Sequence, residues 1–205
     1  MTTRTHLEAR SAVAQRLIDA TVAAIDTDGE ASVRVQEIVA EAGAQIPALY
    51  RNFGNREGLV QAAQINRLIR DLDTELGLVT IAMDSVRNGE EFRDLVGATL
   101  ARISSPDRRA LRWKRINVLG STYGRPELAE AVGELEAAAI EKIAIALSRA
   151  QEAGWIRAEL DLEAFASWFA GQMLGRILIE LGEPRVNPDA WDSIAAEAIN
   201  HILFG

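Results

Sequence analysis

Apolar residues recur along this chain at the three- and four-residue spacing of a helix, and glycine and proline fall between the periodic stretches. In residues 6–28, Val13, Leu17, Ile18 and Ile25 form a single stripe. No stretch shows the alternation of apolar and polar residues that is typical of a half-buried strand. The pattern therefore predicts an all-α protein.

The glycine and proline positions also predict where each helix begins and ends. The predicted helices cover residues 6–28, 33–40, 47–53, a long segment from about 56, and then 90–104, 107–121, 127–153, 162–182 and 188–203. Ser32 is expected to cap the second helix, because a serine hydroxyl can accept a hydrogen bond from a free N–H of the first turn.

The second and third predicted helices are short and are joined at Gly43, an arrangement typical of a helix-turn-helix. In such a pair the second helix enters the major groove of DNA. Leu49 and Phe53 lie four residues apart on that helix, so we expect both to point inward. Ile46 and Tyr50 would then face outward, toward a groove.

The residues of this region resemble a known family. The matching residues occur in order along the chain. They are Arg16-Leu17-Ile18-Asp19-Ala20, then Gly29, then Ile38-Val39-Ala40 with Ala42-Gly43, then Leu49-Tyr50-Arg51-Asn52-Phe53, and finally Arg56-Glu57-Gly58-Leu59. Together, residues 16–59 resemble the N-terminal domain of the TetR family of bacterial transcriptional repressors. The resemblance implies a three-helix helix-turn-helix DNA-binding domain at residues 1–55 and a larger helical effector-binding and dimerisation domain at residues 56–205.

The resemblance also implies which side chains contact a double-stranded DNA operator. The start of the second helix and the start of the fourth would meet phosphates, where Arg56 takes the place of a phosphate-binding lysine of the family. The third helix would meet base edges and phosphates, for which a tyrosine hydroxyl, a guanidinium and helix N-terminal amides are suitable partners. The implied DNA-contacting residues are Ser32, Arg34, Gln45, Ile46, Tyr50, Arg51, Asn52 and Arg56.

Two positions of the third helix depart from the family pattern. Gln45 stands where a serine or threonine cap is usual, and Ala48 replaces a common threonine. Glutamine is a poor N-cap, and alanine has no hydroxyl to donate. An alternative therefore stays open, in which the chain is a TetR-like helical small-molecule-binding protein with weak or lost DNA binding.

The C-terminal region contains the predicted homodimer interface and most of the predicted effector-binding residues. The resemblance implies that the last two long helices, residues 162–182 and 188–203, form a homodimer interface. Residues 162–182 are apolar nearly all round and residues 188–203 offer a second apolar surface, which is compatible with that interface. Burial inside the core of one protomer is the alternative. An unknown small-molecule effector would bind among bulky side chains between helices, although core packing alone also explains each of them. The candidates are Phe92, Trp113, Tyr123, Trp155, Trp168 and Met173.

A run of arginines in the predicted helix 107–121 invites a further hypothesis. Arg108, Arg112 and Arg115 are spaced so that they share one helix face. They could capture an anionic effector, or they could form a solvated face paired with acidic residues at positions 127–136 of the next helix. The second interpretation is favoured, because arginine clusters on protein surfaces rarely need a ligand.

Net charge first argues against nucleic acid, since 22 basic residues against 30 acidic ones give −8. However, residues 1–70 contain eight arginines and eight acidic residues, so the acidic excess falls entirely on residues 71–205. A neutral N-terminal region whose arginines lie on one face is compatible with DNA binding.

Composition also limits the chemistry of the chain. There is no cysteine, and the two histidines, His6 and His201, lie near opposite ends, so we expect no catalytic site, metal or cofactor and no enzyme activity. The sequence contains no run of about 18 apolar residues, so no membrane span is predicted. The N-terminus also lacks the apolar segment of a signal peptide. We therefore expect a cytoplasmic protein with no membrane partner.

Overall fold

Nine α-helices account for most of residues 11–183 and 185–205, the part of the chain that the computed structural model describes, and these residues contain no β-strand. The helices are α1 (Ala12–Asp28), α2 (Val35–Glu41), α3 (Ile46–Phe53), α4 (Arg56–Ser85), α5 (Gly89–Ser104), α6 (Arg109–Ser121), α7 (Pro126–Glu152), α8 (Leu162–Gly175) and α9 (Pro188–Phe204). The predicted all-α fold is confirmed. Within the described residues, none of the helices is long and apolar enough to cross a membrane.

The chain divides into two compact units. Unit 1 comprises residues up to 71 together with 117–135, and unit 2 comprises 72–116 together with 136–205. The divisions fall inside α4, α6 and α7, so each of these helices contributes residues to both units.

The core of unit 1 forms where the apolar stripes of its first four helices meet. Leu17 of α1, Ile38 of α2, Leu49 of α3 and Leu59 of α4 are all buried there, and Phe53 packs against them. The inward orientation predicted for Leu49 and Phe53 is therefore confirmed. Burial of each aliphatic side chain is worth about 1.5–3 kcal/mol, so these contacts fix the short α2 and α3, which are too short to be stable alone.

The core of unit 2 is built from α4, α5 and the C-terminal helices. Phe92 and Leu100 of α5, Phe165 of α8, and Ile199 and Leu203 of α9 are buried together. Asn88 caps α5 by accepting a hydrogen bond from the N–H of Glu91, so the polar start of this helix is also satisfied.

Two local predictions are wrong. Ser32 does not cap α2: it lies in a 3₁₀ turn, Glu30–Ser32, where its hydroxyl donates to the Gly29 carbonyl at 2.7 Å, and Arg34 precedes α2 without a side-chain cap. The helix predicted over 162–182 ends at Gly175, and a 3₁₀ turn, Arg176–Ile179, follows. Arg176 is buried in this turn, and a buried guanidinium needs acceptors, which Asp192 provides at 2.8 Å.

Residues 6–10 of the first predicted helix, with His6, lie outside the described residues.

Candidate functional site

Helix α3 is the candidate recognition helix, and its two faces differ sharply. Ala48 and Leu49 are buried against the core of unit 1, whereas Gln45, Ile46 and Tyr50 are exposed. Ile46 is 41% and Tyr50 is 49% exposed. The helix thus presents an open row that contains one amide, one aliphatic and one phenol side chain.

Three further predicted DNA-contacting residues are exposed around this row: Arg34, Arg51 and Asn52. The Asn52 side chain donates to the Ala48 carbonyl at 2.7 Å, within its own helix. Arg34, just before α2, donates to the Ala31 carbonyl. Arg51 is therefore the exposed cation that α3 itself supplies.

Arg56 and Ser32 are half-buried and make contacts that the sequence did not indicate. Arg56 donates from Nε to the Val33 carbonyl at 2.9 Å and from Nη2 to the Glu30 carbonyl at 2.8 Å. Arg56 therefore joins the first turn of α4 to the segment that precedes α2. Its role as a phosphate ligand stays a prediction.

The position of α3 relative to α4 depends on a glycine. A Cβ atom on Gly58, in the first turn of α4, would overlap the carbonyl oxygen of Phe53, the last residue of α3. Gly54 ends α3 with φ +74°, a left-handed conformation that favours glycine. Gly54 and Gly58 together let α4 start directly against the end of α3.

Two polar side chains of α4, Gln64 and Arg67, are buried within unit 1. Arg67 donates to Asp26 from both Nε and Nη2, at 2.9 and 2.6 Å. Its Nη1 donates to Gln64 Oε1 and to Asn117 Oδ1, both at 2.7 Å. The buried guanidinium is thus saturated by partners from α1, α4 and α6, as burial of a charge requires.

Arg125, just before α7, forms a second charged cluster in unit 1. Its guanidinium pairs with the carboxylates of Glu30 and Glu57. Glu30 also accepts hydrogen bonds from Gln64 at 3.2 Å and from Ser121 at 3.1 Å. Burial alone would raise the pKa of Glu30. The hydrogen bonds from Arg125, Gln64 and Ser121, together with the charge of Arg125, outweigh burial and lower this pKa. The same pair raises the pKa of Arg125, chiefly through its hydrogen bond to Glu30.

Sequence reasoning missed both charged clusters. The available signal was the presence of Gln64 and Arg67 among the apolar residues Leu59, Val60 and Leu68 of one helix, since polar residues on a core face need partners. Asp26 and Asn117, the other partners of Arg67, lie more than forty positions away from it, which no local pattern reveals.

Unit 2 contains an apolar cavity of about 120 Å³. Five helices contribute to its wall: α4, α5, α7, α8 and α9. Their contributions include Met83, Phe92, Leu147, Phe165 and Ile199. An apolar space between helices is the usual form of a small-molecule site in a helical domain.

The six side chains predicted to bind an effector are spread over both units. Phe92 lines the cavity, and the Trp155 ring lies 6.1 Å from the Phe92 ring. Trp155 and the other four do not line this cavity: Trp113 and Trp168 are partly exposed, Met173 is half-buried on α8, and Tyr123, in unit 1, is 96% exposed. As ligand contacts, all six stay predictions.

Each of the three arginines predicted to share one face of the helix over 107–121 has a carboxylate partner. Arg108 pairs with Glu75, Arg112 with Glu180, and Arg115 with Glu136. Only the Arg115 pair falls within the acidic stretch 127–136 of the next helix, so the predicted pairing is wrong for Arg108 and Arg112. Arg112 is also buried rather than solvated, and it donates to the Ile103 carbonyl at 2.6 Å.

No group of three or more acidic or histidine residues suited to a metal ion occurs in the described part of the chain.

Comparison with known proteins supports the interpretation of unit 1. Residues 17–63 match the family model of the bacterial regulatory proteins of the tetR family. No curated protein sequence matches the chain.

Solved structures share the fold of the whole chain. A protein described as a tetR-family transcriptional regulator from Mesorhizobium loti superposes with a TM-score of 0.72 at 19% identity, covering 97% of this chain and 100% of that one. A second, from a Rhodococcus species, gives 0.65 at 22% identity, covering 95% and 100%. A transcriptional regulator from Saccharomonospora viridis, solved in complex with choline, gives 0.67 at 16% identity, covering 96% and 100%. At these identities the likeness shows the fold.

Proposed function

We propose that the chain is a member of the tetR family of bacterial regulatory proteins, supported by the family match at residues 17–63, and that it acts as a transcriptional repressor that a small-molecule effector releases from DNA. Residues 1–55 would supply the DNA contacts, and residues 56–205 the effector site and the dimer interface. Such a regulator meets its operator in the cytoplasm, and we assign it no enzymatic role.

The observation that carries this proposal is the exposed row on α3. Leu49 anchors the helix in the core, so Gln45, Ile46 and Tyr50 stand clear of the protein surface. An aliphatic side chain suits the methyl group of thymine, an amide suits adenine, and a phenol hydroxyl suits a phosphate oxygen. Arg51 adds a cation to the same exposed helix.

A homodimer completes the proposal, because a pseudo-palindromic operator presents two half-sites about 34 Å apart, one for each recognition helix. The end of the chain supports it. Leu178 and Leu181, after α8, are 67% and 53% exposed, and Ile194 of α9 is 69% exposed. Exposed apolar side chains on consecutive elements favour a protein partner, and a second copy of the chain is the simplest one.

The effector would bind in unit 2 and act by population shift. A ligand that fits only one of two dimer geometries stabilises that geometry, and release follows if its half-site spacing does not match the operator. The apolar cavity between five helices is the candidate effector site.

DNA binding is tested by fluorescence polarisation with duplexes from upstream of the protein's own gene and with a random duplex of equal length. We expect tighter binding to one upstream duplex, with an affinity that falls as salt rises. Failure to bind any of these tighter than the random duplex at modest salt would overturn the repressor proposal.

A matched pair of variants tests the contact surface. Arg51→Ala should weaken binding and reduce the slope of log affinity against log salt by about one, the signature of one lost phosphate contact. Arg149→Ala removes the same charge from α7, in unit 2, where Arg149 pairs with Asp84 at an exposed position. It should leave the slope unchanged. Equal slopes for both variants would show that α3 does not carry the contact.

One observation favours the alternative function, ligand binding without specific DNA binding. Gln45 precedes α3 without a side-chain cap, so the first turn of the recognition helix lacks the stabilisation that a capping hydroxyl provides. Under this alternative no upstream duplex is preferred, while a ligand still binds unit 2.

A further inference from the structure

The wall of the unit 2 cavity is almost entirely hydrocarbon. Phe92, Phe165 and Phe169 supply aromatic rings, and the remaining lining residues are aliphatic or methionine except for Thr99, which adds a hydroxyl. None of the described lining residues is charged. A ligand here would lose its hydration and gain mainly apolar contacts.

Arg112 and Arg176 are buried cations of unit 2 that do not line the cavity. The buried guanidinium groups of Arg112 and Arg176 already face Glu180, and Arg176 also binds Asp192. An anionic ligand that recruited either arginine would leave a buried carboxylate with fewer partners. Breaking a buried ion pair in this way costs more free energy than an ion pair on the protein surface contributes.

The volume of the cavity indicates how much of a ligand it can hold. Its volume is about 120 Å³. An apolar cavity of about 150 Å³ in another protein stays dry and accommodates benzene, so this space suits a molecule of that order. A long acyl chain would have to extend beyond it.

We propose that the effector is a compact, uncharged, apolar molecule of roughly six to eight non-hydrogen atoms that binds in this cavity. The inference rests on the proposed function, since only a regulator converts occupancy of the cavity into release of DNA. The three phenylalanine rings favour a planar aromatic ligand, because aromatic rings pack edge-to-face or offset against one another. Toluene is therefore the probe of choice.

The competing occupant is a quaternary ammonium ion, which aromatic rings can surround through cation–π contacts. The similar regulator from Saccharomonospora viridis was solved with choline. In the cavity of unit 2 the rings are phenylalanines, the weaker partners in such contacts, and no carboxylate lines the described wall. Choline and its neutral carbon analogue 3,3-dimethylbutan-1-ol have nearly the same shape, so they separate the effect of charge from that of size.

Calorimetric titration of the full chain with toluene, 3,3-dimethylbutan-1-ol and choline tests the ligand class. Trp155 and Trp168 give a second signal, because their rings lie about 6 Å from those of Phe92 and Phe165. We expect saturable binding of both neutral molecules, a shift in tryptophan fluorescence, and at least a hundredfold weaker binding of choline, which would be buried without a counter-ion. Choline binding as tightly as the alcohol would overturn the proposal, as would the failure of both neutral molecules to bind, which would make the cavity a packing void.

Filling the cavity tests the location. Ala82 of α4 lines it, so Ala82→Leu should abolish toluene binding while leaving the unfolding temperature equal to or above that of the wild type. Ala98→Leu adds the same side chain at an exposed position of α5 and should bind toluene normally. Toluene binding retained by Ala82→Leu would place the site elsewhere and refute the assignment. If Ala82→Leu does not fold, the wild-type titration still decides the ligand class.

Operator binding with and without toluene separates this inference from the proposed function. Saturating toluene should weaken operator binding at least tenfold in the wild type and not in Ala82→Leu. If toluene binds but leaves operator affinity unchanged, the cavity is not the effector site and the inference fails while the repressor proposal stands. If no operator is found, the repressor proposal fails, and the titration alone decides whether the cavity binds neutral ligands.

Discussion

Replacing Gly58 by alanine should disturb the recognition helix without touching any predicted DNA contact. The new Cβ atom would overlap the carbonyl oxygen of Phe53. That oxygen belongs to the backbone at the end of α3, so it cannot rotate away as a flexible side chain would. The overlap can be relieved only if the end of α3 moves away from the start of α4.

The expected cost follows from two opposing effects. Overpacking costs about 1–3 kcal/mol, and we take the upper end because the obstructing atom is part of the backbone. Alanine in a helix gains up to about 1 kcal/mol over glycine, which offsets part of that cost. The net loss is about 2 kcal/mol, equivalent to a fall in Tm of about 4–8 °C for a chain of this length.

Gly77→Ala is the matched control, because it makes the same change in the same helix, where a Cβ atom would meet nothing within 4 Å. It should stabilise the protein by about 0.5–1 kcal/mol. Thermal and urea denaturation measure both variants, and polarisation assays below the unfolding transition measure operator affinity. We expect Gly58→Ala alone to lose stability and operator affinity. Equal effects of the two variants would refute the steric reasoning.

Three other outcomes are expected. Arg176→Met should cost about 3 kcal/mol in urea denaturation because it strips buried carboxylates of their partner, whereas Arg149→Ala, at an exposed pair, should cost less than about 1 kcal/mol. Because the pKa of Glu30 is lowered in the folded protein, this carboxylate stabilises the fold fully above its unfolded pKa, and the stabilisation is lost as the pH falls through the folded pKa. Glu30→Gln should therefore flatten the decline in urea midpoint between about pH 5 and 3. Parallel declines for the wild type and the variant would contradict this. In light scattering, Ile194→Asp should yield a monomer, while Ile145→Asp, 61% exposed on α7, should stay dimeric; a dimeric Ile194→Asp would exclude the α9 interface.

Local patterns were sufficient to predict the helices and the orientation of α3. The reason is that a side chain four positions from another shares its helix face, so Leu49 and Phe53 define an inner side and Tyr50 an outer one. Glycine and proline marked most helix ends for a similarly local reason. Family resemblance then indicated what the outer side of α3 contacts.

Long-range ion pairs explain what the sequence did not reveal. Arg108, Arg112 and Arg115 are close in sequence but find carboxylates at three distant positions, and any of several nearby acids would have satisfied the sequence pattern. Arg176 ended the regular part of α8, although the apolar pattern continues past it. The composition of the unit 2 cavity was equally hidden, because it depends on which residues of five helices meet.

The discontinuous course of unit 1 bears on how the protein is synthesised. Asn117 and Arg125 complete contacts with Arg67 and Glu30, so the ribosome must translate the intervening 45 or so residues before those contacts can form. A nascent chain that ends near residue 71 would hold Gln64 and Arg67 on a core face without their later partners. Chimeric regulators made by exchanging N-terminal segments would likewise lack these partners of Gln64 and Arg67. A functional transplant would need residues 117–135 to accompany residues 1–71.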